Sequence, residues 1–189
     1  MTRGAQGLVR TAVVVRAGAA PMGWLGVVAA GIGVLPDGLT GRRIGVLGGA
    51  VLFLVVAAAV AYGRRQRYAR LTRGATRAGK FDVLQDRRIT VRNWRRGHRW
   101  WLALAFLAAV GSSFVVPAAG GMALAGAGAG LWLKAAWLGR RERQDEALLW
   151  LRVDWLGSRA GAPAGKQVKG YRSTGTAAGD AAPGGARRR

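Results

Sequence analysis

The chain has 189 residues, 51% of them hydrophobic, and carries a net charge of +22 from 30 Lys and Arg against eight Asp and Glu. A soluble core of this size seldom combines the two, whereas a membrane protein does so by separating apolar and charged residues into blocks. The absence of cysteine excludes disulfides, thiolate metal sites and cysteine nucleophiles, and the single histidine excludes paired-His metal centres.

Residues 1–16 read as a basic cytoplasmic N-terminus with Arg3, Arg10 and Arg16 and no acid. Ala17–Pro36 is an uncharged run about one bilayer core long at ~1.5 Å per residue. Arginines before an apolar run also suit a signal peptide, with cleavage near Ala29–Gly31. The run is long for that, and a second apolar run follows almost at once, which favours a retained helix. After the tight loop Asp37–Arg43, Ile44–Gly63 reads as a second span, so residues 17–63 are expected to form a transmembrane hairpin. Gly41, Gly45 and Gly49 recur every fourth position, which puts them on one helix face and lets another backbone approach. The alternative is that they only reflect the overall glycine content of 31 residues.

Residues 64–99 read as a basic cytoplasmic loop. It holds twelve arginines and one lysine against Asp82 and Asp86, a local charge of +11. The spacing of Arg70, Arg73, Arg77 and Lys80 puts all four on one face if this stretch is helical. Gly74 and Gly79 oppose that helix at roughly 1 kcal/mol each. Trp94, Trp100 and Trp101 suit the headgroup layer beside the next span.

Trp100 to Leu133 is uncharged, too long for one crossing, and Val116–Gly121 supplies a turn. Residues 100–139 are therefore expected to form a second transmembrane hairpin, with Gly126 and Gly130 repeating the small-residue spacing. Lys134, close to the cytoplasmic end and beside Trp132 and Trp137, reads as a snorkelling lysine. Residues 140–157 read as an amphipathic interfacial segment. Leu151–Trp155 also alternates as a strand does, but no strand partner is evident. Residues 158–189, rich in Gly, Ala, Ser and Pro, read as a disordered basic tail. Gly63-Arg64-Arg65-Gln66-Arg67 and Gly139-Arg140-Arg141-Glu142-Arg143 close equivalent spans. They read as stop-transfer clusters in preference to a duplicated hairpin.

Placing the termini and the long loop in the cytoplasm puts 27 basic residues inside and two outside. The fold expected is an all-α integral membrane protein of four transmembrane helices, arranged as two short-looped hairpins with both termini cytoplasmic. Its expected location is the cell (inner) membrane, as a multi-pass protein.

None of the eight carboxylates falls in a proposed span, and Ser112 and Ser113 have no base beside them. No nucleotide-binding signature is present. No catalytic, cofactor or metal residues are assigned, and a non-enzyme is expected. The basic cytoplasmic face carries the remaining chemistry, through Arg64, Arg65, Arg67, Arg70, Arg73, Arg77, Lys80, Arg95 and Arg96. Anionic lipid headgroups, DNA gripped without sequence preference, or an acidic partner protein would each fit it.

The Ala/Gly/Val-rich spans, the Arg-Trp stretch RNWRRGHRWW and the basic Gly/Ala/Pro tail resemble the small plasmid-spread and transfer membrane proteins (Spd and Kil type) of mycelial GC-rich bacteria. The resemblance is one of style and transfers no functional residue. It implies an accessory factor in plasmid or DNA transfer acting beside a separate DNA-translocating ATPase, and the small-residue helix faces independently predict a homo-oligomer. The competing expectations are an oligomeric membrane pore or small transporter subunit, lined by glycine-rich helices, and a membrane assembly scaffold.

Overall fold

The computed structural model describes residues 7–36, 38–79, 82–156, 163–164 and 168–176. Strand β1 (Gly7–Arg10) leads into helices α1 (Thr11–Ala17) and α2 (Ala19–Gly33). Helix α3 (Arg42–Tyr62) is followed by α4 (Arg65–Arg73) and the short strands β2 (Thr76–Arg77) and β3 (Val83–Leu84). Helix α5 (Arg87–Gly111) joins α6 (Ala119–Gln144) through a 3-10 turn at Ser112–Phe114. Strands β4 (Ala147–Arg152) and β5 (Arg172–Gly175) complete the elements.

The expectation of an all-α, four-span protein is overturned. The chain carries a five-stranded mixed sheet, and among the described residues only two stretches, Thr11–Gly33 and Arg42–Arg73, are long and apolar enough to cross a membrane. The other two proposed spans fall short for identifiable reasons. The first half of α5 holds six arginines, leaving only Trp100–Gly111 as its apolar part. Helix α6 is largely Gly and Ala, which have little transfer energy, and it ends in Arg140-Arg141-Glu142-Arg143.

The proposed segments shift accordingly. Residues 1–16 contribute a strand and a helix rather than a simple basic terminus. Residues 87–99, read as loop, are helical because Asp86 caps them. Its Oδ1 accepts from Arg88 N at 3.2 Å, and its carbonyl accepts from Thr90 Oγ1 at 3.0 Å. Residues 140–157 are not an interfacial helix: α6 runs on to Gln144 and β4 follows. Within the supposedly disordered tail, Arg172–Gly175 is a strand, while residues 157–162, 165–167 and 177–189 lie outside the described residues.

The chain forms two compact units. Unit 1 comprises Met1–Val15, Arg64–Asn93 and Ala135–Arg189, and unit 2 comprises Arg16–Gly63 and Trp94–Lys134.

Unit 1 is built on the sheet, in the order β2-β5-β4-β1-β3. The continuous apolar run Leu148-Leu149-Trp150-Leu151 fits a strand buried on both faces, and all four residues are buried. Antiparallel β1 pairs Leu8 with Arg152 and Arg10 with Trp150. Antiparallel β5 pairs Arg172 with Trp150 and Thr174 with Leu148. Trp150 Nε1 donates to Thr174 Oγ1 at 2.7 Å, so the largest buried side chain is also satisfied. Parallel pairs place β3 beside β1 and β2 beside β5, at opposite edges. Only residues 78–82 separate those edge strands, and they include a turn in which Asp82 N bonds Gly79 O and Gly79 N bonds Asp82 Oδ2. Edges of a flat five-stranded sheet stand ~19 Å apart at ~4.8 Å per strand, near the fully extended reach of that connection. A turned connection cannot span this distance, so the sheet curls. Ala78 and Leu84, flanking the connection, both pack on the cluster of Leu8, Leu148 and Trp150.

Unit 2 is a helical bundle with its small residues inside and its large ones outside. Helix α6 lies at the centre. Gly121 and Gly128 meet the backbone of α2 at Ala29–Ala30 and Gly23, and Gly126 and Gly130 meet α3 at Phe53 and Ala57. Gly120 meets α5 at Ala109. Trp24 (72% exposed), Val27, Ile44, Leu47, Val51, Leu54, Trp100, Trp101, Leu104 and Trp132 stand on the outer surface.

Candidate functional site

Helix α4, RQRYARLTR, is composed largely of good helix formers. Arg64, in the left-handed conformation at φ 60°, separates it from α3. It ends where Gly74 N bonds Arg70 O at 3.2 Å and Ala75 N bonds Thr72 O at 3.1 Å. Tyr68 is buried, and Arg70 and Arg73 occupy the last turn, where cations complement the helix dipole.

This ending revises the expected arginine stripe. Arg70 and Arg73 are on the helix, but Arg77 belongs to β2, and Lys80 lies outside the described residues. Arg77 lies on the edge strand β2, and Arg70 and Arg73 lie in the last turn of α4, which the two-residue link Gly74-Ala75 joins to that strand. Arg64, Arg70, Arg73 and Arg77 are exposed. Arg65 and Arg67 are half-buried, and the Arg65 guanidinium stacks 5.3 Å from the Trp137 ring centroid, a ring it shares with Arg141 at 5.8 Å. Arg95 and Arg96 are exposed on α5 and belong to unit 2, so they are not part of this edge.

Two cations absent from the sequence-based set join it. Arg172, on β5, donates from Nη1 to Thr76 Oγ1 at 2.9 Å and to Arg77 O at 3.5 Å. Lys169 is exposed two residues before Tyr171, whose carbonyl accepts from Thr76 N at 3.1 Å. The alternating Tyr171-Arg172-Ser173-Thr174 between Gly170 and Gly175 was the available signal for this strand. The resulting edge displays Arg70, Arg73, Arg77, Lys169 and Arg172. Asp82, the nearest acid in sequence, is engaged with Gly79 N. The segments of unit 1 together carry 23 Lys and Arg against seven Asp and Glu, most of the excess positive charge of the chain. A row of cations of this kind suits binding to several phosphates at once.

Two buried polar groups support the edge from within. Glu142 is 1% exposed, and its Oε2 accepts from Arg10 Nη2 at 2.8 Å and Nε at 3.1 Å. Its Oε1 accepts from Leu149 N at 3.1 Å. One carboxylate thereby ties β1, α6 and β4 together, a role invisible in sequence because the partners are 132 and seven residues away. Tyr171 donates to Pro163 O at 2.8 Å, and burial, reinforced by neighbouring Tyr68, pushes its phenol well above the ordinary value.

Of the glycines read as packing residues, Gly45 meets Pro117, Gly49 meets Met122, Gly126 meets Phe53 O and Gly130 meets Ala57 O. Gly41 departs from that reading: it stands before α3 at φ 78° with open space around it, a position glycine holds for its backbone freedom. Lys134 is 8% exposed, buried rather than extended to solvent as snorkelling requires. Ser112 and Ser113 each bond back to Ala109 O. Among the described residues, no three His, Asp or Glu side chains come together as a metal site requires. No family model, no curated protein and no solved structure matches this chain.

Proposed function

We propose that this protein is a non-enzymatic, membrane-anchored factor that holds DNA through its basic sheet edge, as an accessory to a separate DNA-translocating machine. The observation that carries this reading is the edge itself: Arg70, Arg73, Arg77, Lys169 and Arg172 on adjoining elements. Phosphate neutralisation by such a cluster requires no base-reading groups, which suits grip without sequence preference.

The membrane part of the reading rests on unit 2. Two stretches have the length and apolarity to span. Soluble proteins bury large apolar side chains, whereas unit 2 turns them outward and packs its interior with glycine and alanine, as helices do in lipid. The outward apolar face of α3, from Ile44 to Tyr62, is ~27 Å long at ~1.5 Å per residue, close to the ~30 Å hydrocarbon core. The positive-inside rule then assigns the basic unit to the cytoplasm. The glycine seams close backbone on backbone, which supports a solid bundle in each protomer rather than a channel through it.

The test is DNA binding by the detergent-purified protein, titrated against salt with duplex and single strands. Five phosphate contacts predict a log–log salt slope of about −4.5 on duplex, at ~0.9 per contact. Replacing Arg70, Arg73 and Arg77 with Gln should flatten it by about 2.7 and leave membrane insertion unchanged. Absence of binding at ~50 mM salt, where phosphate contacts are strong, would remove DNA as the partner.

A further inference from the structure

We infer that unit 2 carries a second and separate anion site, for the phosphodiester headgroup of an anionic phospholipid, formed by Arg95, Arg96 and Arg99 above Trp100 and Trp101 on α5. The inference rests on the reading that unit 2 lies in the bilayer. It differs from the DNA edge in location, in residues and in ligand.

The inner side of α5 is fixed by an aromatic contact. Trp94 packs on Gly18 of the α1–α2 junction so closely that a methyl there would meet its Cζ2 at 2.9 Å. His98 stacks on Trp94 with centroids 4.3 Å apart and planes 7° from parallel, and its Nδ1 lies 2.9 Å from Trp94 O. With Trp94 and His98 held inward, the helix period turns Arg95, Arg96 and Arg99 outward, and all three are exposed. Trp100 and Trp101 follow at once, also exposed, and the Arg99 guanidinium lies 5.6 Å from the Trp100 ring. Leu104 and Leu107 continue the exposed surface as purely apolar.

Helix α5 thus passes from cation to indole to aliphatic surface within three turns, the order of a membrane from headgroup to acyl chain. Arg95 to Arg99 covers ~6 Å of helix axis, comparable to the headgroup layer on one side of a bilayer. Leu131 also approaches Gly18, so Trp132 stands near the level of Trp94, and Gly130 meeting Val60 brings Tyr62 near that level on α3. Trp132 and Tyr62 are both exposed, as aromatic side chains at a membrane interface are. The segments of unit 2 contain one acid, Asp37, in the connection between α2 and α3, so no carboxylate of this unit competes for these arginines. Planar guanidinium groups bind phosphate with two donors each, and the indoles hold the glycerol level. Charge complementarity therefore selects a lipid with net negative charge over a zwitterionic one.

The experiment uses the full chain in proteoliposomes of equal phosphatidylcholine and phosphatidylglycerol, with bromine on the acyl chains of only one lipid class. The quenching of tryptophan fluorescence lost in W100F/W101F relative to the unaltered protein then reports which class lies against Trp100 and Trp101, separately from exposed Trp24 and Trp132. Brominated phosphatidylglycerol should quench with an apparent association about ten-fold stronger than brominated phosphatidylcholine, and high salt should reduce the difference. The R95Q/R96Q/R99Q variant should bring the ratio to about one, R95K/R96K/R99K should retain most of it, and R70Q/R73Q/R77Q should leave it intact. Equal quenching by both classes in the unaltered protein overturns the inference while leaving the membrane reading in place. So does an undiminished ratio in R95Q/R96Q/R99Q. Quenching by neither class overturns the membrane reading and the inference together.

Discussion

Replacing Glu142 tests whether the basic unit is held together from inside its sheet. Breaking a buried ion pair by removing one partner costs about 3–5 kcal/mol, because the other charge is left uncompensated. Here the Glu142 side chain is 1% exposed but that of Arg10 is 25% exposed, so water reclaims part of the loss and the lower end applies. Glu142→Ala also orphans Leu149 N, a buried donor in the central strand, at about 1–3 kcal/mol on its own. The two costs overlap, and about 3–4 kcal/mol is expected for the alanine variant. Glu142→Gln keeps one acceptor oxygen, enough for Leu149 N, and leaves Arg10 facing an amide NH2, so it should cost about 2 kcal/mol. At about 2–4 °C per kcal/mol for a chain of this length, Glu142→Ala should melt roughly 6–16 °C lower, and Glu142→Gln clearly less. Near-UV circular dichroism of the detergent-purified protein reads this directly, because buried Trp150 sits in the same strand as Leu149. Equal melting of Glu142→Ala and the unaltered protein, or an equal loss for Gln and Ala, would refute the assignment. A double replacement, Arg10→Met with Glu142→Leu, should recover only part of the loss, since it removes the uncompensated Arg10 charge but still leaves Leu149 N without its acceptor.

Four further substitutions separate the packing arguments. Gly126→Ala places a methyl 2.5 Å from Phe53 O and should destabilise by about 1–3 kcal/mol, whereas Gly48→Ala, into open space on α3, should be neutral or stabilise by up to about 1 kcal/mol; paired thermal melts decide. Tyr171→Phe loses the bond to Pro163 O and should cost about 1 kcal/mol near neutral pH. Because the Tyr171 phenol is raised in the folded state, its contribution is complete below the unfolded value of 10.0 and is lost as pH rises above it. Unfolding free energies at pH 8 and pH 11 should therefore converge for the two proteins, and a constant difference would contradict the burial argument. Trp150→Phe keeps most of the packing but orphans Thr174 Oγ1, and a loss of about 1 kcal/mol by the same melts is expected.

What could be seen in the sequence followed the range of each signal. The apolar stretch at 44–62 needs no partner to be visible, and α3 is where hydropathy places it. Gly45, Gly49, Gly126 and Gly130 were recognisable from spacing alone, since helix geometry makes every fourth residue a neighbour. The sheet was hidden because its strands are short and their partners distant: Leu8 pairs with Arg152, and Thr76 with Arg172. Leu148–Leu151 carries strand-like residues, but a strand is only as credible as its neighbour, and β1 consists of four residues between arginine-flanked termini. Asp86 is the exception. An Asp just before Arg87-Arg88-Ile89-Thr90 is a local capping signal, and it was outweighed by the charge of the surrounding stretch. The basic edge was half legible: Arg70, Arg73 and Arg77 lie within eight residues, while Arg172 reaches them only through the pairing of β5 with β2.

The same pairing has a consequence for biosynthesis. The central ladder joins a strand at Gly7–Arg10 to one at Ala147–Arg152 and then to one at Arg172–Gly175. At a synthesis rate of about 5–20 residues per second, β1 waits roughly 7–30 s for its antiparallel partner β4. During that interval only the two-residue strand β3 is available to β1, and the arginines of α4 and β2 are already synthesised without the strand β5 that pairs with β2. The β2–β5 pairing therefore forms last, after the helices, and a ribosome stalled before Arg172 releases a chain without it.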